Sequence, residues 1–385
     1  MIVGAGVPGA TGVGEQFLAG MLSDYPEKLV QRFAISNQAS GDSVSWRGST
    51  CHTRKVVNSK LPGLATMADR NFRRKQLPAL TKSLIEITQQ QGTDVVWAFL
   101  NSIPMFHLMD SFRKESKIPL AVSSWDSPEY LIFKSRLNRS GSQKALQKFS
   151  NVVQASDQVI TICPQMSEIY KSQFGIASIP MPFCPPKSDW LDVRTEQIKA
   201  GPLKVIFAGS LYATNEWNYF LTAIEKHNAS DSGRPIEVTC LGLQSRKAKH
   251  ANWVKYEPAK PPAEAARMIN KSDLAYLPYW MDEKYAHFTR TAFPSKLPFY
   301  VASGTPVFFH GPVDSTPAEL IRKYPVGTNC HSLESSSIID SLMEASSDSA
   351  RKEFVLARQQ VFQEDLDPQR GGQIFAATIK KISSR

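Results

Sequence analysis

Residues 272–312, SDLAYLPYWMDEKYAHFTRTAFPSKLPFYVASGTPVFFHGP, constrain the fold of this chain more than any other segment. An apolar run at 274–277 ends at Pro278, as a buried strand would. A polar loop follows, then Ser295 and Lys296 open a helical pattern that Gly304 stops. A second apolar run comes next, at 306–309. Strand, loop, helix, glycine, strand is the order of a parallel α/β unit. A helix start carries unpaired N–H groups and a partial positive charge, and a lysine beside it adds a point charge. That combination suits a phosphorylated ligand.

The rest of the chain keeps this rhythm. Residues 95–100 (VVWAFL), 119–123 (PLAVS) and 159–162 (VITI) read as strands, and 164–174 as a helix capped by Gly175. At 179–190 (IPMPFCPPKSDW), Pro180, Pro182, Pro185 and Pro186 forbid a central strand or a helix interior, which places a hinge there running to Gly201. A new strand starts at Leu203, followed by a glycine turn and a helix. Residues 236–241 give another strand, and 262–269, 351–362 and 373–382 read as helices. At 385 residues the chain exceeds a single hydrophobic core. The expected fold is α/β, with two doubly wound Rossmann-like domains at 1–187 and 202–366, a linker at 188–201, and a C-terminal helix within 367–385.

Composition narrows the function. Hydrophobic content of 42% and charged content of 21% belong to a globular protein, and no run of about 18 apolar residues predicts a membrane span. The N-terminus lacks the basic-then-apolar pattern of a secretory signal. Five scattered cysteines form neither a metal spacing nor a disulfide framework, and the histidines show no metal spacing, which fits a reducing cytosol. The formal charge of +10 admits nucleic acid, anionic lipid headgroups or a diphosphate ligand. No stretch interleaves basic and aromatic residues as a nucleic-acid module does. The preferred reading is attraction of an anionic donor together with weak peripheral contact with an anionic membrane.

Pro294-Ser295-Lys296-Leu297-Pro298-Phe299-Tyr300-Val301-Ala302-Ser303-Gly304-Thr305-Pro306-Val307 resembles the donor-site segment of GT-B glycosyltransferases. It is most similar to the retaining group related to glycogen and sucrose synthases, which commonly reads Ser/Thr-Lys-Leu, two residues, Tyr, then a small residue, Gly, x, Pro. The resemblance implies two Rossmann-like domains facing across a cleft, with the last helix packed back on the first. It implies transfer of a sugar from a nucleotide diphosphate-sugar, held by the second domain, to a hydroxyl of a glycan or lipid-linked acceptor on the first. Relatives with this segment usually retain anomeric configuration and need neither metal nor cofactor. The expected location is cytoplasmic, peripheral at the inner face of the membrane.

Gly4-Ala5-Gly6-Val7-Pro8-Gly9 also matches the dinucleotide fingerprint. Only three residues precede it, too few for a full strand, and Ser36 and Asn37 stand where an acidic ribose ligand belongs. The segment running on to Glu15 resembles the first glycine-rich loop of GT-B enzymes. Gly12 and Gly14 would then approach the donor diphosphate, and Glu15 the acceptor side. A merely structural turn competes with both readings. In Ser123-Ser124-Trp125-Asp126, Trp125 replaces the histidine common in relatives, whereas Asp126 is kept. Asp126 either orients an acceptor hydroxyl or caps a helix, and Trp125 either stacks on a sugar or fills the core.

Relatives place an arginine and a lysine after the first strand of the second domain, where this chain has Ser210 and Asn215. The diphosphate would therefore fall to Ser210, Arg290, Ser295 and Lys296. Of the relatives' paired glutamates, the ribose ligand aligns with Phe299 and the other with Asp282 or Glu283. Glu283 would thus meet the donor sugar, with Tyr256 and Glu257 near the base. Asp126, Glu283 and Lys296 are the catalytic candidates. Asp365-Leu366-Asp367 spells DxD but lacks a preceding strand, so chance explains it. Nucleotide or glycan binding without turnover, nucleotide-sugar epimerisation and an NAD-dependent oxidoreductase are the competing functions.

Overall fold

A computed structural model describes the chain except residues 6–12, 23–24, 37–42, 47–48, 57–63, 195–200, 231–232, 244–251 and 385. Two compact units emerge, Met1–Pro182 with Gln369–Arg385, and Phe183–Pro368.

The first unit is built on eight strands: β1 (Ile2–Ala5), β2 (Arg32–Ser36), β3 (Ser43–Trp46), β4 (Ser49–Lys55), β5 (Val96–Phe99), β6 (Leu120–Ser124), β7 (Gln158–Thr161) and β8 (Ser178–Pro180). Their order is β3-β4-β2-β1-β5-β6-β7-β8, parallel throughout except β3 against β4. The few residues ahead of Gly4 do form a strand, contrary to the sequence expectation. β1 includes Gly4 and Ala5 and is paired on both sides, by β2 and β5. Central pairing supplies the hydrogen bonds that so short a segment lacks alone. Helix Arg370–Ser383 returns to this unit, where Phe375 meets Trp97 at 4.9 Å and Tyr25 at 5.1 Å.

The second unit contains β9 (Leu203–Ala208), β10 (Ile236–Leu241), β11 (Val254–Glu257), β12 (Leu274–Pro278), β13 (Val307–His310) and β14 (Gly327–Cys330). All are parallel, in the order β11-β10-β9-β12-β13-β14. Side chains alternate along each strand, so neighbours on β12 and β13 serve opposite cores. Ala275, Leu277, Val307 and Phe309 pack with Leu297, Tyr300 and Val301 on one face. Leu274, Tyr276 and Phe308 pack with Trp217, Phe220 and Leu342 on the other. Phe220 stacks on Tyr276 at 3.9 Å. Each such side chain, fully buried, contributes roughly 1.5–3 kcal/mol. Continuous apolar runs at β12 and β13 thus reflect a sheet covered on both faces.

Two local features fix the helix Lys296–Ala302 between β12 and β13. Gly304 follows it at φ +78°, the left-handed turn that ends a helix most easily when no Cβ is present. A Cβ at Gly304 would also lie 2.8 Å from the Asp192 carbonyl and 2.9 Å from Asn270 Nδ2. Residues the sequence placed in the linker are bonded into this unit. Leu191 N donates to Ala302 O at 3.0 Å, and Arg194 Nη2 to Ser272 O at 2.7 Å. Gly304→Ala is therefore expected to destabilise the second unit by about 2 kcal/mol or more, read from its urea unfolding midpoint.

Candidate functional site

In the second unit the chemistry gathers where β9, β10 and β11 end. Gly209 and Gly242 leave β9 and β10 at φ +95° and +83°. Gly209 N donates to Leu241 O at 2.8 Å, and Gly242 N to Glu257 O at 2.9 Å. Strand ends of this kind form the ligand edge of open α/β sheets. Over that edge lies Lys296, whose Nζ donates to Ser210 O at 3.0 Å. The ammonium also sits 4.9 Å from the Tyr212 ring centroid and 5.6 Å from that of Phe207. Among the described residues no carboxylate pairs with it. Burial without a counter-charge lowers the Lys296 pKa to about 8.

Tyr300, one helical turn beyond Lys296, holds this arrangement. Its hydroxyl accepts from Ala208 N at 3.0 Å and donates to Ala208 O at 3.2 Å. Glu216 links the neighbouring loops: it is 1% exposed, and its Oε1 accepts from Met281 N at 2.7 Å. Trp280 Nε1 donates to Tyr212 O at 2.9 Å. The loop after β12 is thereby tied to the start of helix Thr214–Ala229, after β9.

The first unit carries a cavity of about 180 Å³ beyond the ends of β5 and β6, lined by polar groups from Asp69, Asn101, Ser102, Asp126, Lys134 and Ser135. The two carboxylates differ. Asp69 is bonded to His107 Nε2 at 2.8 Å and to Arg73 Nε at 2.9 Å. Burial acts to raise its pKa, but those two partners outweigh burial and hold it below the ordinary value. Asp126 accepts no side-chain hydrogen bond among the described residues. Burial raises its pKa, and the field of Lys134 only partly opposes this.

No family model and no curated protein matches the sequence. Solved structures do match, over the whole chain. Sucrose-phosphate synthase from Thermosynechococcus elongatus is similar at TM-score 0.69 and 11% identity, covering 99% of each chain. Trehalose 6-phosphate synthase from Burkholderia multivorans is similar at TM-score 0.65 and 11% identity, over 100% of this chain and 96% of that one. The catalytic domain of starch synthase IV from Arabidopsis thaliana, bound to ADP and acarbose, gives TM-score 0.62 and 9% identity over 100% and 99%. The chain has the GT-B fold.

Within this GT-B fold the residues singled out from sequence fall into three groups. Lys296, Ser210 and Glu257 meet at or beside the strand ends described above. Tyr256, on β11, instead leans on the apolar core.

A second group is occupied elsewhere. Arg290 Nε donates to Asp314 Oδ2 at 2.6 Å. Glu15 takes both guanidinium nitrogens of Arg32, at 2.8 and 2.6 Å, and so fastens helix Val13–Met21 to β2. Gly14 faces Trp125, whose Cζ3 would be 3.2 Å from an added Cβ. Trp125 is half-buried and packs on the buried rings of Phe17 at 4.8 Å and Phe99 at 4.6 Å. Phe299 likewise packs against the core.

The third group supplies less than its pattern promises. Ser295 makes no capping bond, Leu297 N is taken by Pro294 O at 3.0 Å, and Pro298 has no N–H. The lysine, more than the helix start, carries the positive charge here. Glu283 is exposed in a short turn, Glu283–Tyr285. Ser127, not Asp126, caps helix Pro128–Ser135. Gly12 lies outside the described residues.

Sequence reading passed over Gly242, Glu216 and Tyr300. A glycine closing the second strand and an acid in the first helical turn were visible signals for two of them; the Tyr300 hydroxyl reveals its role only through its contact. Tyr300→Phe leaves the Ala208 amide unpaired and is expected to cost about 1–3 kcal/mol, measured by denaturant unfolding.

Proposed function

We propose that the chain is a glycosyltransferase that moves a sugar from a nucleotide diphosphate-sugar to a hydroxyl of a glycan or lipid-linked acceptor. The observation that carries this reading is the Lys296 ammonium, half-buried over the ends of β9 and β10 with no carboxylate partner among the described residues. Its only hydrogen-bond acceptor among the described residues is one backbone carbonyl, so an arriving diphosphate gains a charge-assisted bond that displaces no ion pair. In the reaction the C1–O bond to the diphosphate breaks, and the acceptor oxygen bonds to C1 and loses its proton. Lys296 would stabilise charge as it develops on the departing diphosphate. Asp126, the unpaired carboxyl of the first-unit cavity, would bind and orient the acceptor hydroxyl. Retention of configuration without a metal is proposed by likeness to glycosyltransferases that carry the same donor segment. The starch synthase of similar fold holds ADP, which supports a nucleoside diphosphate as the ligand class.

Binding without turnover is the second reading. It is favoured by Ser210 and Asn215 standing where two cations are common, and by Arg290 being engaged with Asp314. Product formation with UDP-, GDP- and ADP-sugars separates the two: saturable binding with no sugar transfer from any donor would leave only the binder.

Two measurements test the lysine. Lys296→Ala is expected to weaken binding of the matching nucleoside diphosphate at least about tenfold in calorimetry, the loss of a charged hydrogen bond. In the native chain, affinity should fall as pH rises through about 8, because the ammonium is then lost. The expected decline is about tenfold between roughly pH 7 and pH 9, and it should vanish in Lys296→Ala.

A further inference from the structure

Two helices that flank the first-unit cavity also present an outer face that the proposed sugar transfer does not use. Helix Leu64–Asn71, with its continuation Phe72–Gln76, sends Ala65, Asp69 and Phe72 inward. Helix Pro128–Ser135 buries Leu131. The two are linked where Asn138 N donates to Thr66 Oγ1 at 2.9 Å. On the opposite side Met67 is 66% exposed and Phe133 57% exposed. Both helices that carry these open apolar side chains are also rich in cations.

Residues 64–76 and 128–144 contain Arg70, Arg73, Arg74, Lys75, Lys134, Arg136, Arg139 and Lys144, against only Asp69 and Glu129. Much of the chain's formal charge of +10 is therefore concentrated in two short segments. Asp69 is buried and bonded to His107 and Arg73, so it does not face the outer cations. Arg70, Arg74, Lys75, Arg136 and Arg139 are exposed and form no ion pair or side-chain hydrogen bond among the described residues. Met67, Arg70 and Arg74 fall at helical spacing on one face. Arg136 closes its helix at φ 54°, a position glycine fills more easily.

We propose that this face is a peripheral docking surface for an anionic lipid bilayer. Unpaired cations match phosphate headgroups, and Met67 and Phe133 reach the acyl boundary, as in helices that lie in a membrane interface. Exposed apolar side chains among the cations favour lipid over nucleic acid, whose backbone offers them nothing to bury against. No helix among the described residues is long and apolar enough to cross a membrane. Where the chain acts as the glycosyltransferase proposed above, docking here selects a lipid-linked acceptor. The docking itself does not depend on that reading.

Flotation of the full chain with vesicles, in the absence of nucleotide, tests the surface. Binding is expected to phosphatidylcholine vesicles containing phosphatidylglycerol, to fall with added salt, and to be weak to phosphatidylcholine alone. Arg70→Gln/Arg74→Gln/Lys75→Gln should lower binding about a hundredfold, roughly fivefold for each cation removed. Met67→Ser/Phe133→Ser should lower it at least about tenfold without changing the unfolding midpoint. Absence of binding to the anionic vesicles would overturn the proposal. So would binding that both variants leave intact, or capture of RNA or an acidic protein by the same arginines without any vesicle binding. Nucleoside diphosphate affinity, measured separately, reports on the donor reading whichever way the vesicles behave.

Discussion

The bond between the Tyr300 hydroxyl and the backbone of Ala208 sets the geometry on which the donor-side arrangement depends. Ala208 ends β9, where the ladder no longer supplies partners for both of its polar groups. Tyr300 meets the amide and the carbonyl with one oxygen, and so pins its helix to the strand end. Lys296 lies four residues earlier, on the same helical face. The pinned register therefore carries its side chain over Gly209 and Ser210. Gly209 completes the fit. At φ +95° the chain turns away, and a Cβ there would stand 3.2 Å from Lys296 Cε. An alanine at Gly209 would strain the backbone and crowd the lysine together.

Electrostatics then decides what the lysine can do. One carbonyl and two aromatic faces are its neighbours. Cation–π contacts are worth about 0.5–2 kcal/mol each, and they do not replace the water that burial removes. Desolvation wins, and the pKa falls to about 8. An anion brought to this position would restore what burial took away, which is the physical basis of the donor proposal. Arg290 contrasts with it. Its pair with Asp314 is about half exposed on both sides, and exposed pairs contribute about 0–1 kcal/mol. That pair neutralises Arg290 without fixing it firmly.

Four of the six strands of the second unit, β9, β10, β12 and β13, were legible because apolar runs, glycine stops and prolines agree there; β11 and β14 were not read. Helix Pro164–Phe174 with its Gly175 cap was read from the same signals. The hairpin of β3 and β4 was not, because SVSW and STCHTRK are short and rich in polar residues, and the buried positions Cys51 and Thr53 of β4 make no apolar run. β1 was underestimated because central pairing, not local propensity, makes it a strand. In the site, Lys296 was legible from its place after β12 and before Gly304. The packing of Trp125 and Phe299 against neighbouring side chains was not, because stacking on sugar and packing on protein require the same apolar ring. Glu15 likewise looked free until its partner Arg32, seventeen residues away, was brought beside it.

Trp125 has a consequence for the first unit that its packing makes plain. Where relatives commonly carry a histidine, an indole can neither accept nor deliver a proton at neutral pH. In the proposed reaction, proton handling on that side would fall to a carboxyl of the first-unit cavity, which Trp125 does not line. Asp69 is a poor choice, since His107 and Arg73 stabilise its charged form and weaken it as a base. Asp126 is the better one: burial raises its affinity for a proton, and among the described residues no hydrogen bond fixes its carboxylate. Two carboxyls in one cavity have thus been driven apart by their surroundings, and such divergence is how acid–base roles are separated elsewhere. The proposed role of Asp126 toward the acceptor draws on this environment as well as on its place in the sequence.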